Sequence, residues 1–188
     1  MSRFAQYTTG DAPVASQPLL EKLGKSLGFV PNLFATIAES PAALEGTLAL
    51  DASLEKGSLT KIERQLVKIA VSTENGCTYC VAAHSTIAGM LRARPELVTA
   101  VRTSAPLPDQ KLDALVRFTR AVAARKGFVG DNGLAEFLGA GYTKAQVLEV
   151  VGLVGVKTLE NYAHALTNAP LDAAFQAQRW EPTQRKVA

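Results

Sequence analysis

The sequence predicts an all-α fold, and three observations predict it. Apolar residues recur at three- and four-residue intervals along most of the chain. No stretch keeps the alternating pattern of a half-buried strand, and β-branched pairs such as Val150-Val151 fall inside helical spacing. Helix punctuation is dense: Thr60-x-x-Glu63 and Thr143-x-x-Gln146 fit capping boxes, and glycine or proline bounds most of the periodic runs. With 188 residues, 47% of them hydrophobic and 20% charged, the chain suits one domain over 1–188 with a sizeable core.

Taken in order, residues 1–14 carry few periodic apolar positions and are expected to form an N-terminal arm. Leu19, Leu20, Leu23 and Leu27 make a helical stripe that Gly28 closes. After the break at Pro31, Leu33, Phe34 and Ile37 predict a short helix ending near Ser40. Ser40 is a good cap and Pro41 a good first residue for a helix to about Lys56, stopped by Gly57. Thr60 opens a helix carrying Ile62, Leu66, Val67, Ile69, Ala70 and Val71, which runs into the Asn75-Gly76 break. A helix from about Cys77 to Arg92 follows, with Val81, Ile87 and Leu91 for the core. Pro95 starts a short helix, Pro106 and Pro108 mark a loop, and Asp109 caps a helix that Gly127 ends. A short helix near 132–138 precedes the Gly139-Ala140-Gly141 turn. The helix over 144–167 is apolar nearly all round, so it is expected either at the centre of the core or in a subunit contact. The polar tail, 180–188, is expected to fray.

The chemistry of the sequence concentrates in Cys77-Thr78-Tyr79-Cys80-Val81-Ala82-Ala83-His84, which holds both cysteines and one of two histidines. On a helix opening at Cys77, positions 77, 80 and 84 share one face. A thiol at a helix N-terminus meets unpaired N–H groups and the positive end of the dipole, which favour the attacking thiolate. An imidazole one turn beyond the second thiol can take or return a proton near neutral pH. The pattern therefore reads as a redox dithiol with a proton relay. Two plainer readings compete with it. The thiols could be ordinary core residues. Alternatively, Cys77, Cys80, His84 and His164 could bind zinc, but three of those ligands would crowd one helical face, and structural zinc sites draw their ligand pairs from separate segments. No metal and no cofactor are expected. Glu74, three residues before Cys77, could orient a proton or water. Glu63 is explained as a cap partner, and Gln65 taken alone reads as a polar surface residue. Asn161, His164 and Asn168 form a polar line on the apolar helix, and His164 reads as a hydrogen-bonded histidine rather than a site residue. Trp180 and Tyr162 read as packing residues.

Net charge is +3, and no basic run with interleaved aromatics appears, which argues against nucleic acid. No stretch approaches the roughly 20 apolar residues of a membrane span. Met1-Ser2-Arg3-Phe4 lacks a leader's apolar run, so a cytoplasmic location is expected, where the dithiol is held reduced between turnovers.

Leu59-Thr60-x-x-Glu63-Arg64-Gln65-Leu66-Val67, leading into Val71-Ser72-x-x-Asn75-Gly76-Cys77-x-Tyr79-Cys80-x-x-x-His84, resembles the alkylhydroperoxidase D-like (AhpD-like) core of the carboxymuconolactone decarboxylase superfamily. Phe137 to Val151, Asn161-Tyr162 and Leu171-Asp172 extend the resemblance over most of 25–175. The resemblance implies an AhpD-like bundle of about eight or nine helices, assembled as a homo-oligomer, commonly a trimer or hexamer. It implies a peroxidase that reduces hydroperoxides with electrons from a thiol or lipoyl-type donor protein. Carried over by position, Cys80 attacks peroxide, Cys77 resolves the sulfenic acid and His84 relays protons. The dipole argument favours Cys77 as the lower-pKa thiol instead. Two positions depart from the family pattern: Gln65 stands where its relay has glutamate, and Tyr79 where it has histidine, which leaves Glu74 as a candidate substitute. The competing functions are a lyase of the lactone-decarboxylase type, which has no need of a CxxC, and a non-enzymatic redox-sensing oligomer.

Overall fold

Each periodic run folds as a helix in the computed structural model, which describes residues 2–182. The helices are α1 (Gln17–Leu27), α2 (Asn32–Ile37), α3 (Pro41–Leu54), α4 (Lys61–Glu74), α5 (Thr78–Met90), α6 (Pro95–Thr103), α7 (Gln110–Ala124), α8 (Gly130–Gly139) and α9 (Lys144–Thr167). Short 3-10 turns at Val14–Ser16 and Ala173–Gln178 flank them, and the described residues contain no strand. The caps are those expected: Ser40, Thr60, Asp109 and Thr143 each accept a backbone N–H with the side chain, and both capping boxes close.

The central helix is α4. All eleven residues from Glu63 to Thr73 are buried, and α4 packs against α5, α6, α7 and α9. Leu66, Ile69 and Ala70 face a cluster with Leu97 and Val101 of α6. Val67 and Val71 face Leu115, Phe118, Phe137 and Leu153. In that cluster Phe137 stacks between Phe118 and Tyr142, with centroids 4.2 and 4.5 Å away. A third cluster joins Leu20, Leu33, Ile37 and Leu44 to both cysteines.

This corrects the expectation for Gln65, which is buried rather than at the surface. A helix with so many polar residues can occupy the centre because its polar groups find partners. Glu63 accepts from Thr60 N at 2.8 Å and from the Tyr142 hydroxyl at 2.9 Å, and Lys68 donates to Asp51 at 2.8 Å. The more apolar α9 is only partly covered. Val150, Leu153 and Val156 face inward, while Leu148, Val151, Leu159, Tyr162 and Leu166 are exposed. The N-terminal arm is tied down: Arg3 N donates to Thr167 O at 2.7 Å, Tyr7 N donates to Ala35 O at 3.1 Å, and Ala12 is buried. Of the polar tail, 183–188 lies outside the described residues.

Candidate active site

The site is built at the corner between α4 and α5. Gly76, at φ +68°, takes the left-handed conformation that turns the chain between them. Cys77 N donates to Ser72 O at 2.9 Å, and Cys77 O accepts from Val81 N at 3.1 Å, so the Cys77 backbone is fixed on both sides. The Asn161 amide of α9 clamps the same corner, accepting from Asn75 Nδ2 at 3.0 Å and donating to Ser72 Oγ at 3.2 Å. Cys77 is the N-cap of α5, and its Sγ accepts the Cys80 N–H at 3.3 Å. A sulfur in this position gains from negative charge, because it faces the unpaired N–H groups of the first turn.

Both cysteines are reduced and buried, and their surroundings pull them apart. Burial pushes the Cys77 thiol up, but hydrogen bonds from Cys80 and His164 and the charge of His164 outweigh it and bring it down to about 5. Burial pushes the Cys80 thiol well up; its hydrogen bond to Cys77 adds to the rise, which Lys157 only partly opposes. The resting pair is thus a Cys77 thiolate receiving the proton of a neutral Cys80 thiol. Lys157 is almost wholly buried and donates to Glu160 one turn along α9. Its burial disfavours the ammonium, but the neighbouring Cys80, Glu160 and Cys77 together raise its affinity for the proton.

His84, half-buried one turn beyond Cys80, places Nδ1 2.9 Å from Gln65 Oε1. The amide oxygen accepts an Nδ1–H, which leaves Nε2 as the acceptor. Burial first, then the positive charges of Lys157 and Lys68, hold His84 well below the ordinary histidine value, so the ring is neutral at pH 7. Glu74 meets Arg120 at 3.4 Å. The structure thus joins Cys77 with Cys80 and His84 with Gln65, and turns Glu74 toward α7.

Tyr79 lies under this layer. Its hydroxyl donates to Asp172 and accepts from Leu33 N at 3.4 Å, while Asp172 also receives Asn32 N at 3.2 Å. Burial, then the bond to Asp172, pushes the phenol well up, so Tyr79 stays neutral. Its ring sits 5.4 Å from that of His164. Thr78, Tyr79 and His164 line a cavity of about 320 Å³ together with Leu171, Arg179 and Trp180.

Sequence reasoning missed Lys157, Glu160 and the reach of His164 to Cys77. A signal for them exists: Lys157, Glu160, Asn161, His164 and Asn168 form one polar row along an apolar helix. Such a row needs partners inside the fold. Among the described residues no three His, Cys, Asp or Glu side chains converge as a metal site, and no helix is long and apolar enough to cross a membrane.

Residues 38–115 match the carboxymuconolactone decarboxylase family. No curated protein matches the chain. Several solved structures share its fold. An uncharacterized peroxidase-related protein of Ralstonia eutropha JMP134, described as an alkylhydroperoxidase AhpD core, is 24% identical with a TM-score of 0.82, over 93% of this chain and 94% of its own. An uncharacterized peroxidase-related protein of Silicibacter sp. TM1040 is 21% identical with a TM-score of 0.78, over 95% of this chain and 98% of its own. The debrominase Bmp8, as a cysteine-to-alanine variant in complex with 2,3,4-tribromopyrrole, is 18% identical with a TM-score of 0.79, over 95% of this chain and 97% of its own.

Proposed function

We propose that this chain, an AhpD-like member of the carboxymuconolactone decarboxylase superfamily, is a dithiol peroxidase that reduces hydroperoxides by cycling Cys77 and Cys80 between dithiol and disulfide. The observation that carries the reading is the joined pair at the head of α5: one sulfur accepts the N–H of the other cysteine, and the pair divides into a thiolate and a neutral thiol. A thiolate gives two electrons to the O–O bond and becomes a sulfenic acid. A second thiol one turn away condenses with it, releasing water and closing the disulfide. A thiol or lipoyl-type donor protein then returns two electrons. The neutral His84 relays protons on the Cys80 side, oriented by Gln65, with Glu74 left to Arg120. The enzyme acts as a homo-oligomer in the cytoplasm; the exposed apolar side of α9 supports assembly.

The test is consumption of an organic hydroperoxide with dihydrolipoamide as donor. Turnover is expected in the wild type and is lost in Cys77→Ser and Cys80→Ser. Turnover of a lactone acid that survives loss of both cysteines would instead support the lyase. A change of assembly size on oxidation, without turnover, would support the redox sensor.

The debrominase neighbour favours a second reading. A dithiol can also remove bromine from an aromatic ring as a formal cation, giving the arene, hydrogen bromide and the disulfide. Bromide release from 2,3,4-tribromopyrrole, in excess of any peroxide consumption, would select this reading.

A further inference from the structure

We propose that Asn161 is a positioning residue for the dithiol: its amide locks the α4–α5 corner in the backbone arrangement that lets Cys77 Sγ take the N–H of Cys80. The proposal rests on the dithiol cycle above for its consequence in turnover, while the positioning itself is read on the thiol alone.

The corner has the geometry of a Schellman helix ending. Gly76 N donates to Thr73 O at 3.2 Å and Cys77 N to Ser72 O at 2.9 Å, with Gly76 left-handed between them. Asn75 is the C-cap of α4, and Cys77, the residue beyond the turn, is also the N-cap of α5. One residue therefore completes the end of one helix and starts the next. A small rotation of its backbone would carry Sγ away from Cys80 N, which lies 3.3 Å off. Asn161 holds two α4 residues that set that rotation. Its Oδ1 accepts from Asn75 Nδ2 at 3.0 Å, and its Nδ2 donates to Ser72 Oγ at 3.2 Å.

Among side chains of this length, only an amide fits between these partners. Ser72 Oγ gives its own proton to Lys68 O at 2.7 Å, so toward Asn161 it can only accept. Asn75 Nδ2 can only donate. A carboxylate would fail the serine, a cation would fail Asn75, and an aliphatic side chain would fail both. Asn161 and Ser72 are both buried. A glycine turn of this kind forms without such help, and a buried amide costs free energy unless its ends are bonded. The α9 helix places this amide at the one corner that carries the dithiol. Asn161 has no charge, so its removal acts on Cys77 through geometry and leaves the surrounding titratable groups in place. These are Cys80 and Tyr79 on α5, His164, Lys157 and Glu160 on α9, Glu74 of α4 with Arg120 of α7, and Asp172 beyond Tyr79.

The experiment follows iodoacetamide alkylation of Cys77 in the full chain against pH, with the site read by mass spectrometry. The plateau rate reports access to the sulfur, and the inflection reports how well its negative charge is held. In the wild type the rate is expected to fall as pH drops through about 5. Asn161→Leu is expected to move that inflection up by about one pH unit, the roughly tenfold in proton affinity that a hydrogen bond to a charged group supplies. Asn75→Ala removes one arm of the clamp from a half-buried position and is expected to move it the same way by less. Combined with Asn161→Leu it is expected to move it no further. Thr143→Ala, which removes the N-cap at the far end of α9, is the control: its thermal midpoint is expected to fall and its inflection to stay. An Asn161→Leu protein with the wild-type inflection would overturn the proposal, even with a lower midpoint or a faster plateau. If Asn161→Leu does not fold, Asn75→Ala decides, and an unmoved inflection there overturns it. Failure of the peroxidase reading looks different: cumene hydroperoxide leaves both wild-type thiols intact while the inflection still moves with Asn161. If peroxide consumes both thiols and the inflection does not move, the peroxidase reading stands and the positioning role falls.

Discussion

One negative charge at the α4–α5 corner is divided between two sulfurs, and single side chains decide where it rests. His164 and the N–H of Cys80 hold it on Cys77, while Lys157 lies on the Cys80 side with Glu160 as its counter-ion. Lys157→Met would leave Glu160 buried without its cation. Breaking a buried pair in this way costs about 3 kcal/mol or more. Urea unfolding should show that loss, and Lys157→Met/Glu160→Gln should recover part of it. Equal stability of Lys157→Met and wild type would contradict a buried ion pair. Gln65→Glu would put a carboxylate against Nδ1 of His84. An adjacent negative charge favours the imidazolium, so the His84 inflection, followed by NMR, should move up from its depressed position. An unmoved or lower value would mean that residue 65 does not face the ring. The pair Cys77/Cys80 and the place of His84 were legible from spacing alone, because a helix fixes which residues share a face. Lys157 and His164 were not. A polar row on an apolar helix announces that partners exist, but the partner helix is chosen by tertiary packing.

Among elements, the α4–α5 corner governs the site. Gly76 turns it at φ +68°, where a Cβ would meet no neighbouring atom, so the cost of a side chain there is conformational rather than steric. Gly76→Ala should lose about 1 kcal/mol, visible as a lower thermal midpoint with near-native peroxide reactivity at 25 °C. A loss of reactivity without loss of stability would show that the corner tunes the sulfurs more finely than its hydrogen bonds suggest. Helix positions were readable because caps and breakers are local: Ser40, Thr60, Asp109 and Thr143 cap where the sequence places them. Which helix lies at the centre was not readable from hydropathy. Apolar count favours α9 over α4, yet α4 is the buried one. Hydropathy charges Glu63, Gln65 and Lys68 with full desolvation, although Tyr142, His84 and Asp51 satisfy them.

For the whole molecule, the exposed row Leu148, Val151, Leu159, Tyr162 and Leu166 follows helical spacing along α9 and faces away from the core. In the proposed homo-oligomer a second copy covers it. Leu159→Glu should therefore shift the mass measured by light scattering toward the monomer while leaving helical content unchanged; an unshifted mass would place the contact elsewhere. The same helix carries His164 and Lys157 on its inner sides, so one element serves both the dithiol and the surface. The account as a whole rests on a reversible two-electron change at two sulfurs. The most direct measurement is a free-thiol count on the reduced protein before and after one equivalent of an organic hydroperoxide. The account predicts a fall from two thiols to none, an intramolecular Cys77–Cys80 disulfide by mass, and recovery of both thiols with a dithiol reductant. Two thiols surviving the hydroperoxide would contradict it.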